Sequence, residues 1–113
     1  MQKYTFYVGA GFTHDGRPLE GGPKAPEFFQ IENYLLWEYP GFTKTLGEGA
    51  YTAKNGLITR EVVVIYTLFV NPNQSFLPTK MQAVAAKLAE LAEQESVLVE
   101  HRDWGELVFN PSL

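Results

Sequence analysis

Glu61 stands at the head of a long apolar stretch, within GEGAYTAKNGLITREVVVIYTLFV from Gly47 to Val70. An ionised carboxylate beside buried backbone is costly unless it is paired or serves a ligand. Ten residues upstream, across an Asn55-Gly56 turn signal, Tyr51 closes the preceding strand, so a hairpin brings phenol and carboxylate together. A carboxylate can hold a cation and a phenol can orient it, which makes Tyr51 and Glu61 the candidate site. The plainer alternative pairs Glu61 with Arg60 or with a lysine across the hairpin. For Tyr51 the plainer role is that of a strand former or interface residue.

Other residues compete weakly. His14 and His101 lie far apart, one in a loop and one after a strand, and two histidines do not make a metal site. Gly9-Ala10-Gly11 has the look of a phosphate cradle but no helix follows it, so its expected role is to let a ligand or another backbone approach the first strand. Asp103-Trp104 suits a lid or a stacking surface, but tail packing is its expected role. The chain has no cysteine, which excludes disulfides, thiolate catalysis and cysteine-bound zinc. No metal or organic cofactor is expected.

The elements that must position these residues follow from periodicity and punctuation. Lys3 to Phe12 reads as strand one, and Thr13 to Ala25, rich in glycine and proline, as a long mobile loop of the kind that closes over ligands. Pro26 opens a helix over 26–38 whose inward stripe is Phe28, Ile31, Leu35 and Tyr39, ended by Pro40-Gly41. Strand two spans Phe42 to Ala53, the turn is Lys54-Asn55-Gly56, and strand three spans Leu57 to Val70, with Val62 to Val70 apolar on both faces. Asn71-Pro72-Asn73 stops it. Thr79 and Gln82 form a capping box that opens a helix over 79–94 with Val84, Leu88 and Leu91 inward. Val97 to Val99 is strand four, and Glu106 to Phe109 forms an edge strand or a docking tail.

The order βαββαβ is that of a ferredoxin-like α+β sandwich: one domain over 1–113, with an antiparallel sheet and two helices on one face. Because strand three is apolar on both faces, the open sheet face is expected to pack against other subunits, as in a closed ring. A charged fraction of 19%, below the usual quarter, agrees with buried surface of that kind. The formal charge of -4, with scattered lysine and arginine, argues against nucleic acid and favours cationic ligands. With neither a leader-like segment nor an apolar run of about eighteen residues, the expectation is a soluble cytoplasmic protein that does not enter membranes.

Taken in order, the segments resemble the phage-encoded S-adenosylmethionine lyases, formerly described as hydrolases. The likeness runs through Phe6-Tyr7-Val8, Pro40-Gly41-Phe42, the glycine-led aromatic hairpin ending at Glu61, the alanine-rich helix, and Glu95-Ser96-Val97-Leu98-Val99. It implies a lyase that splits S-adenosylmethionine into methylthioadenosine and homoserine lactone, with Glu61 and Tyr51 as the functional pair. It also implies a homotrimer with pockets between subunits; Gly9, Ala10 and Gly11, read from the first strand itself, are expected to supply backbone contacts to the substrate. Depletion of the methyl donor in an infected cell, against methylation-dependent restriction, would be the consequence. Two other readings stay open: a PII-like, non-catalytic trimer that binds a nucleotide-like ligand, and a structural domain in which Glu61 is only a hairpin ion pair.

Overall fold

The computed structural model describes residues 1–52, 56–72 and 77–113, with Tyr51 described by its backbone alone. Five strands and two helices follow in the order β1 (Gln2–Gly9), α1 (Pro26–Glu38), β2 (Thr43–Thr52), β3 (Ile58–Val70), α2 (Leu77–Leu91), β4 (Ser96–His101) and β5 (Trp104–Phe109). One antiparallel sheet holds all of the described strands in the order β2-β3-β1-β4-β5. This is the ferredoxin-like sandwich, extended by β5, which pairs with β4 along its whole length. The 104–109 segment is therefore an edge strand.

Both helices cover one face. Strand periodicity sends Val64, Tyr66, Leu68 and Val70 of β3 inward with Tyr4, Phe6 and Val8 of β1, where they meet Phe28, Ile31 and Leu35 of α1 and Met81, Val84 and Leu88 of α2. Each such side chain contributes about 1.5–3 kcal/mol of burial. Proline at the first turn and Glu27 near the helix dipole start α1 as the sequence suggests.

Both ends of α2 differ from expectation, and β1 ends at Gly9 instead of Phe12. Helix α2 is under way by Leu77, and Gln82 is no capping partner of Thr79: its Nε2 donates to Glu106 Oε2 of β5 at 2.6 Å. The helix also ends at Leu91 instead of Gln94. Glu93 turns left-handed at φ 54, while Glu93 N–H donates to Glu90 O and Gln94 N–H reaches back to Ala89 O. This pair of bonds is the Schellman stop. Most of the Lys54-Asn55-Gly56 turn lies outside the described residues, as does Asn73; Gly56 itself is left-handed at φ 83, where glycine is least strained.

Strand β1 stops at Gly9 because the chain then leaves the ladder. Ala10 N–H still donates to Val62 O at 2.9 Å, after which the chain enters the 13–25 segment. That segment is tied down at several points. Thr13 and Arg17 exchange backbone and hydroxyl bonds around Gly16, Leu19 is buried, and a short 3-10 turn at Gly22–Lys24 leads into α1.

Candidate functional site

Along β3 the residues alternate, so Glu61 lies on the open sheet face with Val63 and Ile65, while Val62 and Val64 share the helix side. In the ladder Glu61 stands opposite Gly49 of β2, and on its other side Gly9 of β1 stands opposite Val63. The carboxylate therefore has glycine on both flanks.

The glycines are there for space. A methyl group at Gly9 would lie 2.7 Å from both Glu61 Oε1 and Gln94 Oε1, and one at Gly11 would lie 2.7 Å from Glu61 Cβ. With no side chain in the way, Glu61 lies down over the end of β1, and its Oε2 accepts the Gly11 N–H at 3.0 Å. One oxygen is thus anchored to backbone. The other fronts the space above Gly9.

Gln94 reaches the same place from the end of α2. It is 8% exposed, and its Nε2 donates to Phe12 O at 2.8 Å and Ala92 O at 3.0 Å, which turns Oε1 toward Gly9 and Glu61. The Schellman stop thus aims this amide, because it sets the residue that follows Glu93 against the base of the sheet.

Above these oxygens lies a cleft of about 320 Å³ whose lining includes Tyr7, Phe12, His14, Glu61, Gln94 and Glu95. Neither lysine nor arginine is among its lining residues. A second hollow of about 270 Å³ continues from it past Phe12 and His14 to Thr59. A larger hollow, about 410 Å³, lies at the far end of the open face and is ringed by Lys3, Glu100, His101 and Arg102, a lining of mixed sign. The acidic cleft is the one suited to a small organic cation, with two carboxylates, an oriented amide oxygen and aromatic walls.

The wall formed by Phe12, Thr13 and His14 is latched to the end of α2. His14 N–H donates to Glu93 O at 2.7 Å, and Arg17 bridges Asp15 at 3.3 Å and Glu93 at 3.2 Å. The Thr13 hydroxyl donates to Asp15, and this bond, followed by the Arg17 guanidinium, pulls the Asp15 carboxyl down to about 2. On the other side of the cleft Tyr7 donates to Glu100 Oε1 at 2.7 Å; that bond, helped by partial burial, raises the phenol above its ordinary value.

Among the described residues Glu61 takes part in no ion pair. Arg60, its neighbour in sequence, points to the opposite face and pairs with exposed Glu48 at 3.3 Å. Tyr51 stands opposite Thr59 in the ladder, two positions along from the Gly49–Glu61 pair, and its side chain lies outside the described residues. Gly9 lines the cleft, whereas Ala10 is buried and both Ala10 N–H and Gly11 N–H are bonded within the chain. His101 stacks on Tyr4 at 4.3 Å and contacts Lys3 O through Nδ1, away from the cleft. Trp104 packs against the core. Gln94, Glu95, Phe12 and His14 were not among the residues singled out for the site; their only common sequence signal is that they flank predicted element ends.

Fold and cleft together define the class: a ferredoxin-like α+β sandwich with an acidic slot on its open sheet face. Two solved structures share that fold. One is a phage SAM lyase in complex with S-methyl-5'-thioadenosine, at 18% identity and TM-score 0.69, covering 95% of this chain and 88% of that one. The other is a phage SAM lyase in the apo state, at 19% identity and TM-score 0.68, covering 95% and 87%. No family model and no curated protein matches the chain.

Proposed function

We propose that this protein is an S-adenosylmethionine lyase. The observation that carries the reading is the Glu61 carboxylate, held by Gly11 N–H in a glycine-walled slot beside Gln94 Oε1, at a cleft lined by a second carboxylate and by neither lysine nor arginine. The shared fold with phage SAM lyases, one of them bound to S-methyl-5'-thioadenosine, supports it.

In this reading Glu61 and Gln94 hold the substrate's ammonium near its sulfonium. Tyr51, one diagonal step along the hairpin, fixes orientation by a hydrogen bond, Gly9 forms the floor beneath the substrate, and Gly11 acts through its hold on Glu61. The substrate carboxylate, met by no cationic side chain of the cleft lining, is free to attack its own γ-carbon. The new C–O bond closes the lactone as the C–S bond breaks, and the bonding pair leaves on sulfur as neutral methylthioadenosine. No proton moves. Holding the chain in attack geometry is then the main task, and the best intramolecular cases gain roughly 7–11 kcal/mol from it.

Carboxylate and sulfonium lose their charges together, so a water-poor site favours the transition state. Packing of the open sheet face in a homotrimer would supply that dryness by covering the cleft with a neighbouring copy. In the cytoplasm of an infected cell the reaction would drain the methyl donor and so work against restriction.

The test is incubation with S-adenosylmethionine followed by chromatography. Methylthioadenosine and homoserine lactone are expected, and free homoserine as the first product would mean attack by water. Decarboxylated S-adenosylmethionine keeps both cations but lacks the nucleophile, so it should bind and remain intact. Its cleavage would overturn internal attack, and binding of the normal substrate without any product would leave a non-catalytic binder.

A further inference from the structure

The geometry points to a second association surface, on the side of the molecule away from the cleft: the outward face of α1 pairs with the same face of another copy about a two-fold axis. On this face Phe29 is 74% exposed, Leu36 55% and Trp37 88%, an amount of bare apolar and aromatic surface that a monomer seldom keeps. These residues fall on one side of the helix by their spacings of three, four and seven, with Gln30 and Asn33 among them. No charged residue interrupts the stripe. Glu32 lies at its margin and is neutralised by Lys44 at 2.9 Å.

The occupant is argued from charge and from symmetry. Each copy carries -4, so two copies repel except where uncharged surface meets uncharged surface, and this stripe is such a surface. A two-fold contact also requires the patch to complement itself. Here it does: Phe29 and Trp37 lie four residues on either side of Asn33. Antiparallel crossing at Asn33 sets Phe29 of one copy against Trp37 of the other at both ends, and the two central amides donate to and accept from one another. Rows spaced by four are those that interlock when helices cross.

Aromatic side chains bring about 150–250 Å² each, so four of them supply roughly 600–1,000 Å². With Leu36 and the amides added, the contact reaches the roughly 1,200 Å² at which small specific interfaces begin. A weak, concentration-dependent pair is expected. It is independent of the cleft, because the helices and the cleft lie on opposite faces of the sheet.

The chain has no cysteine, which makes the test clean. Asn33→Cys would put two thiols at the axis and should cross-link under mild oxidation, while Lys87→Cys on exposed α2 should not. By sedimentation, Trp37→Glu should have half the mass of the unaltered protein at high concentration, with unchanged circular dichroism and, if the lyase reading holds, unchanged turnover. Equal masses for the two proteins, or cross-linking at Lys87→Cys as fast as at Asn33→Cys, would overturn the proposal. Absence of lyase activity would not bear on it.

Discussion

The carboxylate of Glu61 stays put because its neighbours have no side chains, and this makes its replacement informative. Glu61→Gln keeps an oxygen for Gly11 N–H, so stability should change by less than about 1 kcal/mol, within the range of an ordinary hydrogen bond. The loss falls on the charge. Removing one partner of a desolvated charge pair costs about 2–4 kcal/mol, so kcat/KM should fall roughly 30- to 700-fold in a methylthioadenosine assay while the thermal midpoint barely moves. Gly9→Ala tests the same geometry from below. Its methyl group would press on Glu61 Oε1 and Gln94 Oε1, both ends of side chains that can swing aside, so the fold should survive at a cost of about 1–3 kcal/mol while turnover drops at least tenfold. Normal activity in Gly9→Ala would mean that the two oxygens need not converge there.

Elements decide how much of this could be read from the chain. The apolar run of β3 and the inward stripe of α1 are visible locally, because period two and period 3.6 leave their mark on neighbouring residues. The partner of Glu61 is not visible. Arg60 is next in sequence yet faces the other way, since adjacent strand residues point to opposite faces, and the group that bonds Glu61 is a backbone amide fifty residues off. Gln82 misled for the same reason, its amide being taken by β5 instead of by the helix start. Gln94 was hidden because its orientation depends on where α2 stops. Two predictions belong at this scale. Buried Tyr66 of β3 donates to Glu32 Oε2 of α1 at 2.9 Å, and burial, then that bond, pushes its phenol well above the ordinary range. Tyr66→Phe leaves Glu32 with Lys44, so the cost in a denaturant titration should be about 1 kcal/mol. The second concerns the latch on the cleft wall. The Asp15 carboxyl titrates at about 2 against an ordinary 3.8, so its contribution is fully present above about pH 4 and is lost as pH falls through about 2. Any stability gap between the unaltered protein and Asp15→Asn should therefore be constant at neutral pH and close between those values; a gap that persists at pH 2 would show that the carboxylate's charge is not what holds the turn.

At the scale of the whole molecule the question is what the open sheet face is for. The helices cover the centre of one side of the sheet, while the other side presents half-buried Val63, Ile65 and Leu98 beside exposed Leu107 and Phe109, continuous with the cleft that holds Glu61. A solvated antiparallel face would alternate to polar residues at these positions. A face that instead packs on other copies turns an open cleft into an enclosed one, and enclosure is what a reaction between a carboxylate and a sulfonium needs. Ile65→Glu separates folding from assembly. Ile65 lies outside the helix-side core, so the single copy should lose no more than about 1 kcal/mol, in the range of changes away from the core. The assembly should lose far more, because each copy would bring an unpaired carboxylate to a desolvated contact. The expected result is a folded protein by circular dichroism, a mass that falls to that of one chain in sedimentation at low concentration, where the weak α1 pair is dissociated, and turnover that disappears with the assembly although Glu61, Gly11 and Gln94 are untouched. Full turnover by a monomeric Ile65→Glu would show instead that the cleft works alone, and that the apolar face serves some purpose other than completing the site.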